Sequence, residues 1–308
     1  MRKRTIVLET NLRIPEARLY RGKVSDVYFL PGLGSDYNSS LPDMPIILRI
    51  FCDRISANNL RLSPGIPNQG ANMASLQTFW SGWIPENIGM PTHFLSNEIA
   101  NVFGGYNWLD ETILDRSIVT LSLRMLLIEN ITRYIVRAAG SGWKQYCKDQ
   151  TICGIPLPAG LKPGDKFPKT LWTPTDKSDT DPWITRENVI LKFGPEMASR
   201  LEKCGVDLQE KAYEYLLTKG LILSDNKTEL GEDENGKLYF ADEYLTPHSC
   251  CLFDAKAFSE GRIVSRDKDI AREYLDKNPG TTVIPSDLVK KLSFAFSEVT
   301  EIITGKAA

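Results

Sequence analysis

Segment 221–247 contains the feature that most restricts how this chain can fold, two apolar-led runs on either side of Asn235-Gly236. Asn-Gly favours a two-residue type I′ turn, because both central residues of that turn must adopt positive φ. In such a turn, the residues that lie opposite each other on the two strands are equally far from the Asn235-Gly236 centre. Glu229, six residues before Asn235, therefore lies directly opposite Asp242, six residues after Gly236. The segment therefore predicts an antiparallel hairpin with two carboxylates facing each other.

One face of this predicted hairpin is charged, because side chains alternate between the two faces of a strand. The residues on it are Asp225, Lys227, Glu229 and Asp242. Directly opposed carboxylates repel each other unless a cation lies between them. Oxygen ligands beside a lysine suit a magnesium ion that carries a nucleotide phosphate. The alternative is a solvated hairpin whose charges face water, and the pattern by itself leaves both interpretations open.

Composition argues against several classes of function. With 308 residues, 42% of them apolar and 25% charged, the chain is long enough for two lobes or one large domain. A net charge of −2 gives no electrostatic reason to expect nucleic acid or an anionic membrane as a partner. No apolar run approaches the roughly 20 residues that span a bilayer. Six cysteines without a CxxC pair indicate reduced thiols, so we expect a cytoplasmic protein.

The order of the predicted elements indicates a mixed α+β fold. The first third of the chain reads as strands and turns, including an apolar run over residues 46–52. Residues 148–182 form a loop rich in Pro, Gly, Thr and Asp, and long loops in compact domains are usually functional. Helical spacing returns over residues 187–220, and a last helix is predicted after Pro285.

Two short motifs in the first third carry residues suited to binding small molecules. Gly22-Lys23 lies between two short strands, where glycine lets the backbone approach a phosphate and lysine supplies a charge. An ordinary hairpin turn is the alternative. Asp53-Arg54 ends an apolar strand, a common location for site residues, and an internal Asp–Arg pair is the alternative there.

The second half adds two further candidates. A Gly-Ser-Gly turn at Ser141 follows Arg133 and Arg137, and arginine can clamp an anion with two parallel hydrogen bonds. The alternative is a glycine turn after a strand. The long loop contributes the charged residues Lys177, Asp179 and Asp181, for which a solvated turn is the alternative.

In order and spacing, these motifs resemble those of the phosphoribosylaminoimidazole-succinocarboxamide synthase (SAICAR synthetase) family. The most specific block is GSGWKQY followed by CGIPLPAGLKPGDKFP, and the resemblance covers roughly residues 18–275. The other matching segments are YRGKVSDVY, DRISA, TPTDKSDTDPWIT, SDNKTELG and DEYLTPHS.

The resemblance implies two mixed α+β lobes with mainly antiparallel sheets, ATP between them and a helical C-terminus. The N-terminal β-rich lobe with the phosphate loop would span residues 1–125, and the larger lobe with the metal hairpin would span residues 126–308. It further implies an ATP- and Mg²⁺-dependent ligase of purine biosynthesis, in which phosphoryl transfer activates the carboxylate of carboxyaminoimidazole ribotide. The amine of L-aspartate then forms the amide.

The resemblance also implies roles for individual residues, and these suit phosphoryl transfer, which needs positioning and charge neutralisation. The cofactor-binding set comprises Gly22, Lys23, Val24, Ser25, Glu229 and Asp242, of which Glu229 and Asp242 would hold magnesium. The catalytic set comprises Lys227 and Asp225 beside the reacting carboxylate, and Lys177 and Asp181 facing the acceptor or aspartate. The substrate-binding set comprises Asp53, Arg54, Ser56, Arg133, Arg137, Ser249 and Ser141, with Ser141 on the ribose 5-phosphate.

The chain departs from the family pattern in the acceptor half. Asn58-Asn59 stand where the family usually has Phe-Asp, Gln69 where it has lysine, and Ile135 and Cys251 where it has arginine. These departures motivate a second hypothesis, a related ligase that acts on another carboxylic acid in specialised metabolism. A third hypothesis is an ATP-binding homologue without ligase activity, which the intact lysine and carboxylates of the ATP half argue against.

Overall fold

The computed structural model of the chain describes residues 6–104, 109–138, 140–178 and 180–306, and Asp179 of the charged loop lies outside them. The chain divides into two compact units. Unit 1 comprises Met1–Trp83, Thr92–Arg124 and Asp267–Ala308, and unit 2 comprises Ile84–Pro91 and Met125–Arg266. Within the described ranges, none of the helices combines the length and apolar character that a membrane span requires.

Unit 1 is built on a five-stranded antiparallel sheet and a separate two-stranded hairpin. Its strands are β1 (Arg18–Arg21), β2 (Ser25–Leu33), β3 (Pro45–Phe51), β4 (Ile55–Ala57), β5 (Leu60–Leu62), β6 (Phe94–Ser96) and β7 (Ser117–Leu121). Its helices are α1 (Gly34–Tyr37), α2 (Gln69–Ile88), whose end falls in unit 2, α3 (Ile99–Val102), α4 (Glu111–Leu114), α9 (Asp269–Lys277) and α10 (Ser286–Thr304). The large sheet has the order β1-β2-β3-β7-β6, and β4 pairs with β5.

The C-terminal helices complete an apolar core of unit 1. Leu292 and Phe296 of α10 are fully buried in one cluster with Ile55 of β4 and Ile66. This arrangement differs from the predicted second lobe of residues 126–308, because Asp267–Ala308 group with unit 1. The physical reason is that the DRISA hairpin has no apolar cover of its own until α9 and α10 supply it.

Unit 2 contains a seven-stranded sheet with helices. Its strands are β8 (Arg124–Met125, at the boundary), β9 (Ile128–Ile135), β12 (Lys166–Trp172), β13 (Thr175–Asp176), β14 (Leu221–Glu232), β15 (Leu238–Ala241) and β16 (Cys250–Asp254), with β10 (Thr151–Ile152) and β11 (Ile155–Pro156) as a separate pair. Its helices are α5 (Gly140–Asp149), α6 (Arg186–Phe193), α7 (Pro195–Thr218) and α8 (Ala255–Ser259). β9 and β14 are antiparallel neighbours at the centre of the sheet.

Helix α7 covers one face of β9 and β14. Pro195 occupies its start, where a backbone N–H is not needed, and the buried residues Leu201 and Leu208 follow at helical spacing. Gly205 allows a close approach, because a Cβ atom there would lie 2.9 Å from Asn130 Nδ2 on β9. The opposite face of these two strands is the one that carries charged side chains.

The hairpin of β14 and β15 forms as predicted, but its turn and register differ from the prediction. Glu229 pairs with Ala241 instead of Asp242, and the loop has three residues, 234–236. Gly236 adopts a positive φ of 74°, whereas Asn235 does not adopt positive φ. Asp233 explains the difference, because its Oδ1 accepts hydrogen bonds from the backbone N–H groups of Asn235 and Lys237, both at 2.9 Å. Its carboxylate therefore stabilises the wider turn.

Candidate active site

Charged side chains cluster on the face of the unit 2 sheet that α7 does not cover. Strand β9 contributes Glu129 and Arg133, and β14 contributes Asp225, Lys227 and Glu229, with Asp225 paired directly to Arg133 in the ladder. We call these five residues the charged face. Their side chains share it because positions of the same parity on neighbouring strands point to the same side.

Lys227 lies at the centre of the charged face between two carboxylates. Its Nζ is 2.8 Å from Glu129 Oε1 and 3.4 Å from Glu229 Oε1. Burial by itself would lower the pKa of Lys227, but the negative charges of Glu229, Glu129 and Asp242 outweigh burial and raise that pKa. Burial would raise the pKa of Glu129, and Lys227 instead brings it below its usual value. Lys227 is therefore a fixed cation at neutral pH.

Glu229 is a nearly buried carboxylate that two lysines contact. Its side chain is only 4% exposed, and Lys177 Nζ forms an ion pair with Oε2 while Lys227 contacts Oε1. A nearly buried carboxylate that draws two ammonium groups fits a divalent cation in their place. Asp242 is partly buried, has a positive φ of 55° just beyond β15, and is close enough to raise the pKa of Lys227. Asp242 thus belongs to the same electrostatic environment, although it is not the cross-strand partner of Glu229.

Asp225 binds both arginines that precede the Gly-Ser-Gly turn. Its Oδ2 is 2.8 Å from Arg137 Nη1 and 3.2 Å from Arg133 Nη1. Burial would raise the pKa of Asp225, but Arg137, Arg133 and a hydrogen bond from Cys251 lower it to about 2. Asp225 is therefore ionised throughout the physiological range and orients two guanidinium groups.

Helix α5 begins beside these arginines. Ser141 is exposed in its first turn, and a Cβ atom on the neighbouring Gly142 would lie 3.7 Å from Arg133 Cζ. A side chain at position 142 would therefore make an ordinary van der Waals contact with the guanidinium, in a region also lined by Arg137 and Trp143. Ile135 is buried and lines the same region without offering a charge.

The loop after Asp242 is tied to β14. The Lys227 N–H donates to the Ser249 carbonyl at 2.8 Å, and the Thr246 N–H donates to Ser249 Oγ at 3.1 Å. Ser249 is buried, so its hydroxyl maintains the loop in this structure. Leu245 has a positive φ of 53°, an uncommon conformation for a bulky residue that marks a constrained backbone.

The two described charged residues of the predicted loop, Lys177 and Asp181, lie in different surroundings. Lys177 follows β13 and reaches Glu229 of the charged face. The Asp181 N–H donates to the Ser178 carbonyl at 3.3 Å, and Asp181 adopts a positive φ of 43°. The structure therefore brings Lys177 to the charged face and places Asp181 in a turn of the same loop.

The turn between β1 and β2 in unit 1 is compact and has an exposed cationic tip. The Gly22 N–H donates to the Ser25 carbonyl at 2.8 Å, and Arg54 Nη2 donates to the Gly22 carbonyl at 2.8 Å. Lys23 is exposed and its Nζ donates to Asn59 Oδ1 at 3.1 Å. Val24 is partly buried beside it, and Ser25 is buried.

Asp53 and Arg54 are buried and have internal partners. Asp53 forms an ion pair with Arg116 at 3.2 Å and accepts the Gly70 N–H at 2.9 Å, and Arg54 forms an ion pair with Asp26 at 2.8 Å. These groups are used within unit 1, with partners other than each other. These contacts support the Gly22 turn and α2, and the role of both residues in substrate binding stays a prediction.

The departures in unit 1 have structural explanations. Asn58 and Asn59 form the two-residue turn between β4 and β5, with φ values of 52° and 59° that asparagine tolerates better than most residues. Ser56 precedes this turn, partly buried and paired with Arg61. Gln69 begins α2, is fully buried, and donates its amide N–H to the Arg54 carbonyl.

Glu129 was not identified from the sequence, yet it holds Lys227 in place. Its other oxygen, Oε2, accepts the hydroxyl of Thr175 on β13 at 2.7 Å. The alternation of Glu129 and Arg133 on one side of a strand was a readable signal. Its meaning depended on knowing that β9 pairs with β14, which the sequence does not state.

The chain matches the SAICAR synthetase family model over residues 18–285. The chain belongs to the SAICAR synthetase family. A phosphoribosylaminoimidazole-succinocarboxamide synthase of Polaromonas sp. (strain JS666) is 31% identical over 319 residues, covering 98% of this chain and 100% of the relative. The predicted family is therefore confirmed.

Solved structures confirm the predicted mixed α+β fold of this family. The SAICAR-synthase of Saccharomyces cerevisiae complexed with SAICAR superposes with a TM-score of 0.82 at 26% identity, covering 98% of this chain and 99% of that one. A SAICAR synthetase solved in complex with ADP gives a TM-score of 0.65 at 24% identity over 94% of this chain and 99% of that one, a likeness of fold. Family membership makes this chain a ligase-type enzyme.

Proposed function

We propose that this SAICAR synthetase family member joins L-aspartate to the carboxylate of carboxyaminoimidazole ribotide at the expense of ATP, a step of purine biosynthesis. The observation that carries the proposal is the charged face, where fixed cations and carboxylates alternate on two rigid neighbouring strands. The relatives named for this reaction, together with the family match, support the same substrates. A cytoplasmic location is part of the proposal and suits six cysteines that form no disulfide in the described structure.

The chemistry consists of two balanced transfers. The γ-phosphoryl group of ATP passes to a carboxylate oxygen of the ribotide, leaving ADP. The amine of aspartate then attacks the activated carbonyl carbon, loses a proton and displaces inorganic phosphate. Neither transfer needs a covalent bond to the protein, so catalysis rests on orientation and on charge neutralisation.

The residues of unit 2 supply that neutralisation. Lys227, held by Glu129 at 2.8 Å, presents a positioned ammonium group to the negative charge of the reacting carboxylate and phosphoryl oxygens. Arg133 and Arg137, oriented by Asp225, together carry one more positive charge than their shared partner and can bind an anionic group of the ribotide. Ser141 at the start of α5 would donate to the same anion.

A magnesium ion would be held by Glu229 and Asp242 and would supply charge for the nucleotide phosphates. Both residues fit this role by their position, because each contributes to the negative field that raises the pKa of Lys227. In unit 1, the compact Gly22 turn with its exposed Lys23 would contact phosphate oxygens through a backbone N–H and an ammonium group.

A second candidate function is ligation of a different carboxylic acid. Ile135 and Cys251 favour it, because both are buried and neither carries the charge that the family pattern has there. Cys251 pairs with Asp225 across the sheet, and Ile135 lines the same region as Arg133 and Arg137. An acceptor with less anionic charge than a ribotide would suit such a pocket.

Direct turnover tests the proposal. Purified protein with ATP, Mg²⁺, L-aspartate and carboxyaminoimidazole ribotide is expected to release ADP and form the succinocarboxamide, measured by coupled ADP release and by mass of the product. Glu229→Gln is expected to lower turnover by about two orders of magnitude or more, because a charged metal ligand is lost. ADP release that requires another carboxylic acid and ignores the ribotide would establish the second candidate instead.

A further inference from the structure

Each carboxylate oxygen of Glu229 already has a cation beside it. Lys177 Nζ forms an ion pair with Oε2, and Lys227 Nζ lies 3.4 Å from Oε1. A carboxylate whose side chain is 4% exposed loses most of its hydration, so it requires such counter-charges to stay ionised. The two lysines therefore neutralise the proposed metal ligand from opposite sides.

The two lysines are anchored differently. Lys227 lies within β14, its side chain is 28% exposed, and Glu129 holds it at 2.8 Å independently of Glu229. Lys177 lies on the loop beyond β13 with its side chain 40% exposed. Over the part of the chain that the structure describes, the only hydrogen bond of the Lys177 side chain goes to Glu229. If Glu229 is taken by another cation, Lys227 keeps a partner and Lys177 is released.

We infer that Lys177 occupies, in the metal-free protein, the place on Glu229 that a divalent metal ion takes, so that metal binding displaces this lysine. The inference rests on the proposed metal site and adds a competition to it. A divalent ion coordinates a carboxylate oxygen at about 2.1 Å, which leaves no room for an ammonium group on the same side of that oxygen. Arrival of the metal therefore frees the ammonium group of Lys177 next to the charged face.

This exchange gives Lys177 two roles in sequence. Before the metal binds, the Lys177 ammonium group neutralises the nearly buried Glu229 carboxylate through a contact that the metal can replace. After the metal binds, the freed ammonium is available to anionic groups of a substrate, and it becomes available only when the metal is in place. The competition also means that Lys177 weakens metal binding to the free protein, which is measurable without turnover.

The test is Mn²⁺ binding to the full-length, nucleotide-free protein, measured by electron paramagnetic resonance of the unbound ion. Lys177→Met removes the competing charge and keeps the length of the side chain, so its affinity for Mn²⁺ is expected to rise by about tenfold, within the usual range for coupled binding. Lys177→Arg keeps the cation and is expected to bind Mn²⁺ about as weakly as the unaltered protein.

Lys192→Met is the matched control. Lys192 lies in the same unit, pairs with Asp176, and its side chain is 37% exposed, close to the 40% of Lys177. Its loss removes the same charge from a side chain whose partners are Asp176 and the Leu127 carbonyl, not Glu229, so Mn²⁺ affinity is expected to stay unchanged. Thermal unfolding followed by circular dichroism verifies that all variants are folded.

Each outcome decides between the alternatives. Unchanged or weaker Mn²⁺ binding by Lys177→Met, or an equal gain in Lys192→Met, overturns the competition. Undetectable binding by both the unaltered protein and Lys177→Met overturns it as well. Glu229→Gln, alone and combined with Lys177→Met, tests the metal site separately, because binding that persists unchanged in both shows that Glu229 is not a ligand. That result would remove the metal site of the proposed function, whereas a failed comparison of Lys177→Met with Lys192→Met overturns the competition alone.

Discussion

At the scale of single residues, Asp225 shows how a buried charge is held by its neighbours. Its carboxylate is 10% exposed and lies against Arg133 and Arg137, and these positive charges lower its pKa from 3.8 to about 2. A carboxyl group whose pKa is lower in the folded state stabilises the fold above its unfolded pKa. That contribution is lost as the pH falls from 3.8 through about 2.

We therefore predict a pH-dependent effect of Asp225→Asn. At pH 7 the variant is expected to lose several kcal/mol of unfolding free energy, because two nearly buried arginines lose their partner. The difference from the unaltered protein is expected to narrow by about 2 kcal/mol as the pH falls from 5 to about 2. Urea unfolding at each pH measures it. Asp287→Asn, at an exposed pair with Lys290, is the control and should leave stability at pH 7 unchanged. A difference in unfolding free energy that stays constant over this pH range would contradict the role of Asp225.

Strand alternation predicts which residues share a face, but it does not predict partners that are distant in sequence. Lys227 and Glu229 were placed on one charged face by strand alternation alone, and the structure brings them within 3.4 Å. Alternation is a local property, so it can be read from one strand. Glu129 was missed because its role depends on Lys227, a partner that is distant in sequence. The ion pair of Asp53 with Arg116 could not be read from the sequence for the same reason.

At the scale of elements, the β14–β15 hairpin shows how one polar side chain changes a turn. Asn235-Gly236 alone favours a two-residue type I′ turn, but Asp233 accepts two backbone N–H groups and stabilises a three-residue loop. The register therefore moves by one residue, which takes Asp242 away from the position opposite Glu229. A sequence pattern predicts the existence of a hairpin more reliably than it predicts the register of that hairpin.

The two turn types both predict a cost for replacing Gly236, and they differ in the cost that they predict for replacing Asn235. Gly236 has a φ of 74°, so Gly236→Ala is expected to cost about 1 kcal/mol of unfolding free energy. Asn235 does not have positive φ, so Asn235→Ala should change stability by less than about 0.5 kcal/mol. Urea unfolding measures both variants. A cost for Asn235→Ala as large as that for Gly236→Ala would favour the type I′ turn.

At the scale of the whole molecule, the mixed α+β class and the last helix were predictable because they depend on periodicity. The face of α10 with Leu292, Phe296 and Val299 is buried as its spacing indicates. Spacing shows that a face is apolar but does not show what covers it. For that reason the sequence places residues 267–308 in the second lobe. In the structure these residues instead complete a core of unit 1 with Ile55 and Ile66.

This core leads to a prediction about which segments fold together. Residues 1–125 expressed alone are expected not to fold cooperatively, because the cluster around Ile55 and Ile66 lacks α9 and α10. Joining residues 1–125 to residues 267–308 through a flexible linker restores those helices and is expected to give a cooperative thermal transition by circular dichroism. A matched fusion with Leu292→Asp and Phe296→Asp places two charges in the same core and should lose that transition, since buried unpaired charges are costly. Cooperative folding of residues 1–125 alone would show instead that the C-terminal helices are an accessory to a lobe that is complete without them.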